Sequence, residues 1–173
     1  MRLFISIDLP EQLQQQISAL RQQVARPDLK PTPSAQLHIT LAFLGEQSDA
    51  MQDMVEQVLN QLDIPPLTLQ CHQVHAFKSG VIYLQVTPDS ALMRLQRQLC
   101  QRLRQTGLAM EQRRYTPHIT LFRCKGTPDG TLLQQLNDLF TGHTFSFALE
   151  AIWLKQSRLT QQGAEHTVVA GFR

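Results

Sequence analysis

Leu3-Phe4-Ile5-Ser6-Ile7-Asp8-Leu9-Pro10 is a run of apolar and β-branched residues closed by proline, and Val81-Ile82-Tyr83-Leu84-Gln85-Val86-Thr87-Pro88 repeats it in the second half of the chain. Runs of this kind bounded by proline read as strands. A helical pattern follows each proline. Leu13, Ile17, Leu20 and Val24 recur at steps of 4, 3 and 4 after the first, and Leu92, Leu95, Leu99 and Leu103 at steps of 3, 4 and 4 after the second. Each set draws one apolar stripe on a 3.6-residue period, suited to packing on a sheet. Pro10 and Pro88 sit at or near the first turn, where a missing N–H does no harm.

Further out, the same four letters occur twice. His38-Ile39-Thr40-Leu41 begins 28 residues after Pro10, and His118-Ile119-Thr120-Leu121 begins 30 after Pro88. Each is followed by a helix candidate, 48–62 and 131–140, and then by a strand candidate, 67–77 and 144–154. A closing strand is expected over 165–172. This order predicts two βαβ-type lobes, roughly 1–77 and 78–173, related by an approximate twofold. Lys78-Ser79-Gly80 reads as a hairpin turn, not a flexible linker, and half the chain is small for an independent core. One bilobal α+β domain spanning 1–173 is therefore expected.

Composition narrows the class. The chain has 173 residues, 42% of them hydrophobic, enough for a packed core without disulfide or metal staples. A net charge of +2 excludes a histone-like or acidic-tail protein and leaves room for a local basic patch. Only 17% of residues are charged and Gln is common, but the apolar content is too high for disorder. No run approaches the ~18 apolar residues a membrane span needs, and Asp8 interrupts what would be the apolar core of a signal peptide. Cys71, Cys100 and Cys124 are scattered and odd in number, with no C-x-x-C spacing. Neither a disulfide framework nor a zinc cage is expected, and the thiols fit a cytoplasmic protein.

The two His-x-Thr pairs carry the chemistry. In a strand His38 and Thr40 face one side while Ile39 and Leu41 face the other, and the same holds for His118 and Thr120. A lone histidine in an apolar strand is commonly a satisfied core residue. Two identical pairs at equivalent repeat positions point instead to a shared site, with two imidazoles and two hydroxyls around one phosphodiester. Imidazole titrates near ~6.5, so one ring can accept a proton while its partner donates one. Hydroxyls can hydrogen-bond phosphate oxygens in the transition state. In-line displacement at phosphorus suits such a pair, with no metal or other cofactor called for. No Gly-rich phosphate loop appears that would support ATP-driven ligation.

These residues resemble the two-histidine phosphoesterase superfamily. Leu37-His38-Ile39-Thr40-Leu41-Ala42-Phe43-Leu44-Gly45, Pro117-His118-Ile119-Thr120-Leu121-Phe122-Arg123 and the opening Arg2–Pro10 resemble its bacterial RNA 2′,3′-cyclic phosphodiesterase branch, historically called 2′-5′ RNA ligase. The motif separation of 80 residues (118 − 38) and the chain length fit as well. The resemblance implies two antiparallel-rich sheets lining a central cleft, with helices outside and no metal. It implies hydrolysis of a terminal 2′,3′-cyclic phosphate on RNA or an oligonucleotide to a 2′-phosphate. His38 would be the proton donor and His118 the acceptor, with Thr40 and Thr120 holding the non-bridging oxygens. The symmetry of the sequence does not itself distinguish the two histidines. Reversible 2′-5′ RNA joining and a non-catalytic RNA-end binding module are the alternative functions. One chain supplies both motifs, so a monomer without an obligate protein partner is expected.

Phe43 and Arg123 occupy the fifth position after each motif histidine, and the resemblance assigns both to substrate: Phe43 to stack on a base, Arg123 to neutralise phosphate. Strict alternation puts them on the opposite face, as a core phenylalanine and a solvated edge charge, unless a bulge or strand end brings them round. Residues 91–125 hold eight basic side chains against Glu111 alone. Arg113 and Arg114, with Tyr115, lie immediately before the second motif, where an RNA backbone could be met. Arg94 to Arg104 read as the wet face of a helix. His72 and His75, three apart on a strand, are expected on opposite faces and so not as paired ligands. His143 and His166 have no motif around them, and Trp153 is expected in the core.

Overall fold

The computed structural model describes all 173 residues. The chain runs β1 (Arg2–Asp8), α1 (Glu11–Arg21), β2 (Leu29–Pro31), a 3₁₀ turn (Ser34–Gln36), β3 (His38–Glu46), α2 (Asp49–Asn60), β4 (Thr68–Ala76), β5 (Val81–Val86), α3 (Ser90–Gln105), β6 (His118–Cys124), α4 (Gly130–Phe140), β7 (Phe145–Ala148), β8 (Ile152–Thr160) and β9 (Gly163–Phe172). Three helices begin on the capping residues their sequence supplies. Ser48, Asp89 and Asp129 accept from the backbone N–H of Met51, Leu92 and Leu132.

The strands form one curled sheet in the order β7-β4-β5-β6-β3-β1-β8-β9, with β2 added beside β6. The α+β expectation holds. The two expected sheets are halves of this one, joined where β3 meets β6 at a single antiparallel pair, Ile39 with Ile119. The halves of the sheet are not the halves of the chain. β4, from the first repeat, pairs with β5 of the second. β8, from the second, pairs with β1 of the first. The last strand of the first repeat and the last two of the second thus cross to the other half-sheet. The expected strand over 144–154 is consequently two strands, β7 and β8, lying on opposite halves. No glycine or proline at 149–151 marks the break.

One face of the sheet carries the core. Leu3, Ile5, Ile7, Ile39, Leu41, Ile82, Leu84, Val86, Ile119 and Leu121 are all buried, as are the helix residues Ile17, Leu92, Leu99, Leu103 and Leu136. Each such side chain contributes about 1.5–3 kcal/mol on burial. A one-residue slip of β3 or β6 would exchange isoleucine and leucine for histidine and threonine in the core, so the register is strongly specified. The alternate residues line the opposite, concave face. No helix is long and apolar enough to cross a membrane.

Candidate active site

The pair Ile39–Ile119 points both side chains into the core. His38, Thr40, His118 and Thr120 flank that pair and therefore share the concave face, His38 lying diagonally across from His118. Diagonal neighbours in an antiparallel pair are about 7–8 Å apart, a span that leaves room for a tetrahedral phosphate between them. The site thus sits at the seam between the half-sheets, with one His-x-Thr from each.

Both rings are held alike from behind. His38 donates from Nδ1 to the carbonyl of Gln36 at 2.6 Å, and His118 donates from Nδ1 to the carbonyl of Thr116 at 2.8 Å. Each acceptor lies two residues upstream of its histidine. A carbonyl can only accept, so the proton of the neutral ring sits on Nδ1 and Nε2 presents a lone pair. The front nitrogens then differ. His38 Nε2 pairs with the Thr40 hydroxyl at 3.0 Å, whereas His118 Nε2 makes no hydrogen bond within the protein.

Their surroundings differ too. His38 packs against Phe4 and His166, each with ring centroids 5.4 Å away. Asp8, its register partner on β1, pairs at 2.5 Å with the buried ammonium of Lys155. Burial holds the His38 imidazole down to about 4; the Gln36 carbonyl opposes this, while Lys155 and His166 reinforce it. His118 lies 5.2 Å from both Phe77 and Tyr83, and burial lowers its pKa as well, with the Thr116 carbonyl opposing.

Two β-bulges settle the fifth-position residues. Ile5 pairs with Ala42 but Ser6 with Thr40, leaving Leu41 as the extra residue in β3. Ile82 pairs with Phe122 but Tyr83 with Thr120, leaving Leu121 extra in β6. Two consecutive residues therefore face the core in each strand, and the side chains beyond change face. Phe43, 73% exposed, comes to lie opposite Phe4 on the concave side, and exposed Arg123 lies there opposite Val81. A helix of the other repeat braces each bulge. Arg21 of α1 donates to the Leu121 carbonyl at 2.8 Å and to that of Thr32 at 2.7 Å, while Gln96 of α3 donates to the Leu41 carbonyl at 3.3 Å.

Other candidates fall differently. Arg114 is exposed just ahead of the second motif, and its neighbour Arg113 pairs with Glu111. The Tyr115 hydroxyl is used internally, donating to the Thr40 carbonyl at 2.8 Å, so it positions β3 where a substrate contact was expected. The opposite-face expectation for His72 and His75 is corrected. A bulge at Gln73, left-handed at φ 63°, puts both on the concave face, opposite Gln85 and Tyr83. Asn137 of α4 clamps that bulge through the N–H and C=O of Val74 at 2.8 and 2.9 Å. Trp153 is not a core residue; it faces the concave side opposite Ser6, its ring over Gly171. His166, set aside in the sequence for want of a motif, lies beside His38.

A duplicated sheet that sets one His-x-Thr pair from each half around one point defines the class of two-histidine phosphoesterases. Residues 9–158 match the model of the 2′-5′ RNA ligase superfamily, and the chain belongs to that family. It is 27% identical over 175 residues to the RNA 2′,3′-cyclic phosphodiesterase of Methanocaldococcus jannaschii, covering 98% of each chain. It is 32% identical over 125 residues to the protein of that name from Escherichia coli K12, covering 70% of this chain and 71% of the relative. Among solved structures, E. coli LigT complexed with 3′-AMP superposes with a TM-score of 0.84 at 26% identity, covering 99% of this chain and 96% of the other.

Proposed function

We infer that the protein opens terminal 2′,3′-cyclic phosphates on RNA or oligonucleotides, giving 2′-phosphomonoesters by paired-imidazole catalysis. The observation that carries this reading is the pair of Nδ1-anchored rings on either side of the seam. His118, whose Nε2 lone pair is free, takes a proton from water as the water oxygen bonds to phosphorus. The P–O3′ bond breaks, and His38 delivers its Nε2 proton to O3′. Proton exchange with solvent then returns both rings to their starting forms. Thr40 and Thr120 hold the non-bridging oxygens, Arg123 offsets their charge, and Phe43 offers a face for a base. Arg114 meets the RNA backbone. Tyr115 keeps Thr40 in place. The names of the relatives support the substrate class.

In the empty groove His38 is neutral at neutral pH. A monoanionic phosphodiester beside it favours the imidazolium and so loads the donor with its proton. One chain supplies both rings, so no second subunit is required.

The test is turnover of 2′,3′-cyclic AMP and of a short oligonucleotide with a cyclic-phosphate end, the product being identified by phosphorus NMR. A 2′-phosphate is expected. His38→Ala and His118→Ala should each lower the rate about 10²–10⁴-fold. Full activity in either variant, or a 3′-phosphate product, refutes the mechanism. Binding without turnover refutes the enzymatic reading.

A further inference from the structure

We propose that His166 is a third substrate-contacting imidazole, donating from Nε2 to a phosphate oxygen on the His38 side of the groove. The inference rests on the cyclic-phosphate reading above and adds a residue to it. His166 lies on β9, outside the stretch matched by the family model, and no motif surrounds it. Its placement comes from the β8–β9 hairpin, which curls back over the concave face. The hairpin tip is tied down by Lys30 Nζ on the Gln162 carbonyl and by Gln36 Nε2 on the Ala164 carbonyl, both at 3.0 Å. Gln36 is also the residue whose carbonyl holds His38 Nδ1. One residue thus fixes both the catalytic ring and the hairpin that carries the third imidazole. The result is an aromatic cluster. His166 stands edge-on to Phe4 at 4.8 Å and to His38 at 5.4 Å.

A histidine serving only to build the fold normally satisfies its buried nitrogen. His166 does not: Nδ1 is buried with no hydrogen-bond partner. With no acceptor at Nδ1, the neutral ring keeps its proton on Nε2, the nitrogen open to solvent. The ring therefore presents an N–H donor next to His38, and an anion in the groove is its natural acceptor. Ring opening takes the phosphate from a monoanion toward a dianion. A donor placed there gains strength as the reaction proceeds and binds product better than substrate.

His166→Phe and His166→Gln separate donation from packing. Phenylalanine keeps the aromatic contacts with Phe4 and His38 but has no N–H, while glutamine keeps a donor and loses the ring. A hydrogen bond to a charged group corresponds to roughly a 10-fold effect or more. In His166→Phe, kcat on 2′,3′-cyclic AMP should fall by about that factor with KM changed less than about twofold, and 2′-AMP, read by calorimetry, should bind about 10-fold more weakly. Melting should stay close to wild type. His166→Gln should recover part of both losses. Wild-type kcat and 2′-AMP affinity in His166→Phe overturn the proposal, as does a glutamine variant no better than phenylalanine. If the wild type binds 2′-AMP but turns over no cyclic phosphate, the catalytic reading falls, and the 2′-AMP comparison still decides the role of His166.

Discussion

Acidification from pH 7 to 4 should destabilise the wild-type protein more than His38→Asn. Asparagine can keep an N–H donor toward the Gln36 carbonyl, but it does not titrate. In the unfolded chain the imidazole protonates near 6.5, whereas in the folded protein it does so at about 4. Between these values the unfolded state binds the proton and the folded state does not, so stability rises with pH across this window and falls as pH drops through it. A separation of this size corresponds to about 3 kcal/mol, nearly all of it lost by pH 4. His118 and His166 are also pushed down by burial and add to the acid sensitivity of both proteins. His118, which does not touch His38, cancels in the comparison, as do carboxylates whose surroundings are unchanged. Urea unfolding of wild type and His38→Asn at pH 7, 5.5 and 4 reads the difference directly. The gap in unfolding free energy should shift by about 3 kcal/mol in favour of the variant over that range. Parallel pH dependences, within about 1 kcal/mol, would show that the groove does not suppress imidazolium at His38, and substrate-driven loading of the donor would then have no basis.

The pH profile of kcat/KM on a cyclic phosphate should be a bell centred on the acid side of 6.5, because both free-protein imidazoles titrate below that value; a bell centred above 7 contradicts it. Arg21→Met removes the donor to the Thr32 carbonyl and one of two donors to Leu121, the other being Thr32 N–H at 3.0 Å. It should lose about 1–3 kcal/mol of stability and raise KM more than it lowers kcat, because the bulge that aims Arg123 loosens; unchanged urea midpoint and KM would argue that the bulge holds itself. Gln73→Gly relieves a left-handed residue already clamped by Asn137 and should stabilise by about 1 kcal/mol, read as a raised urea midpoint; a lowered midpoint contradicts the strain.

The α+β class, the principal strands and helices and both His-x-Thr pairs were legible in short-range pattern and spacing, whereas the short β2 and the division of 144–154 into β7 and β8 were not. What was not legible lies in the pairing. Aligning Pro10 with Pro88 implies an offset of 78 residues between β1 and β5, whereas pairing to the motif strands matches Asp8 to Gln85 and Ser6 to Tyr83, an offset of 77. The helices are offset further still, by 79, since Pro10 is itself the cap of α1 while Asp89 caps α3, so two residues are taken up between strand and helix. The bulges at Leu41, Leu121 and Gln73 carry no glycine or proline flag. Each depends on a distant side chain, Gln96, Arg21 or Asn137, and local pattern has no access to such contacts. His166 escaped for the same reason, since its place beside His38 comes from the curl of a hairpin.

The strand exchange and the bulges together explain how a near-symmetric scaffold makes an asymmetric catalyst. The duplication sets each imidazole at the seam with the same carbonyl behind it and the same bulge ahead of it. The register positions around them have diverged. Asp8, paired with Lys155, lies opposite His38, whereas neutral Gln85 lies opposite His118. Buried Ser6 answers to Tyr83, and Phe43 answers to Arg123. On the His38 side the ring shares its hydroxyl neighbour and has a second imidazole edge-on, while the His118 lone pair is left free. In the mechanism proposed above, acid and base differ only by which ring holds the proton when phosphate arrives. In that mechanism identical motifs take opposite roles through their neighbours alone.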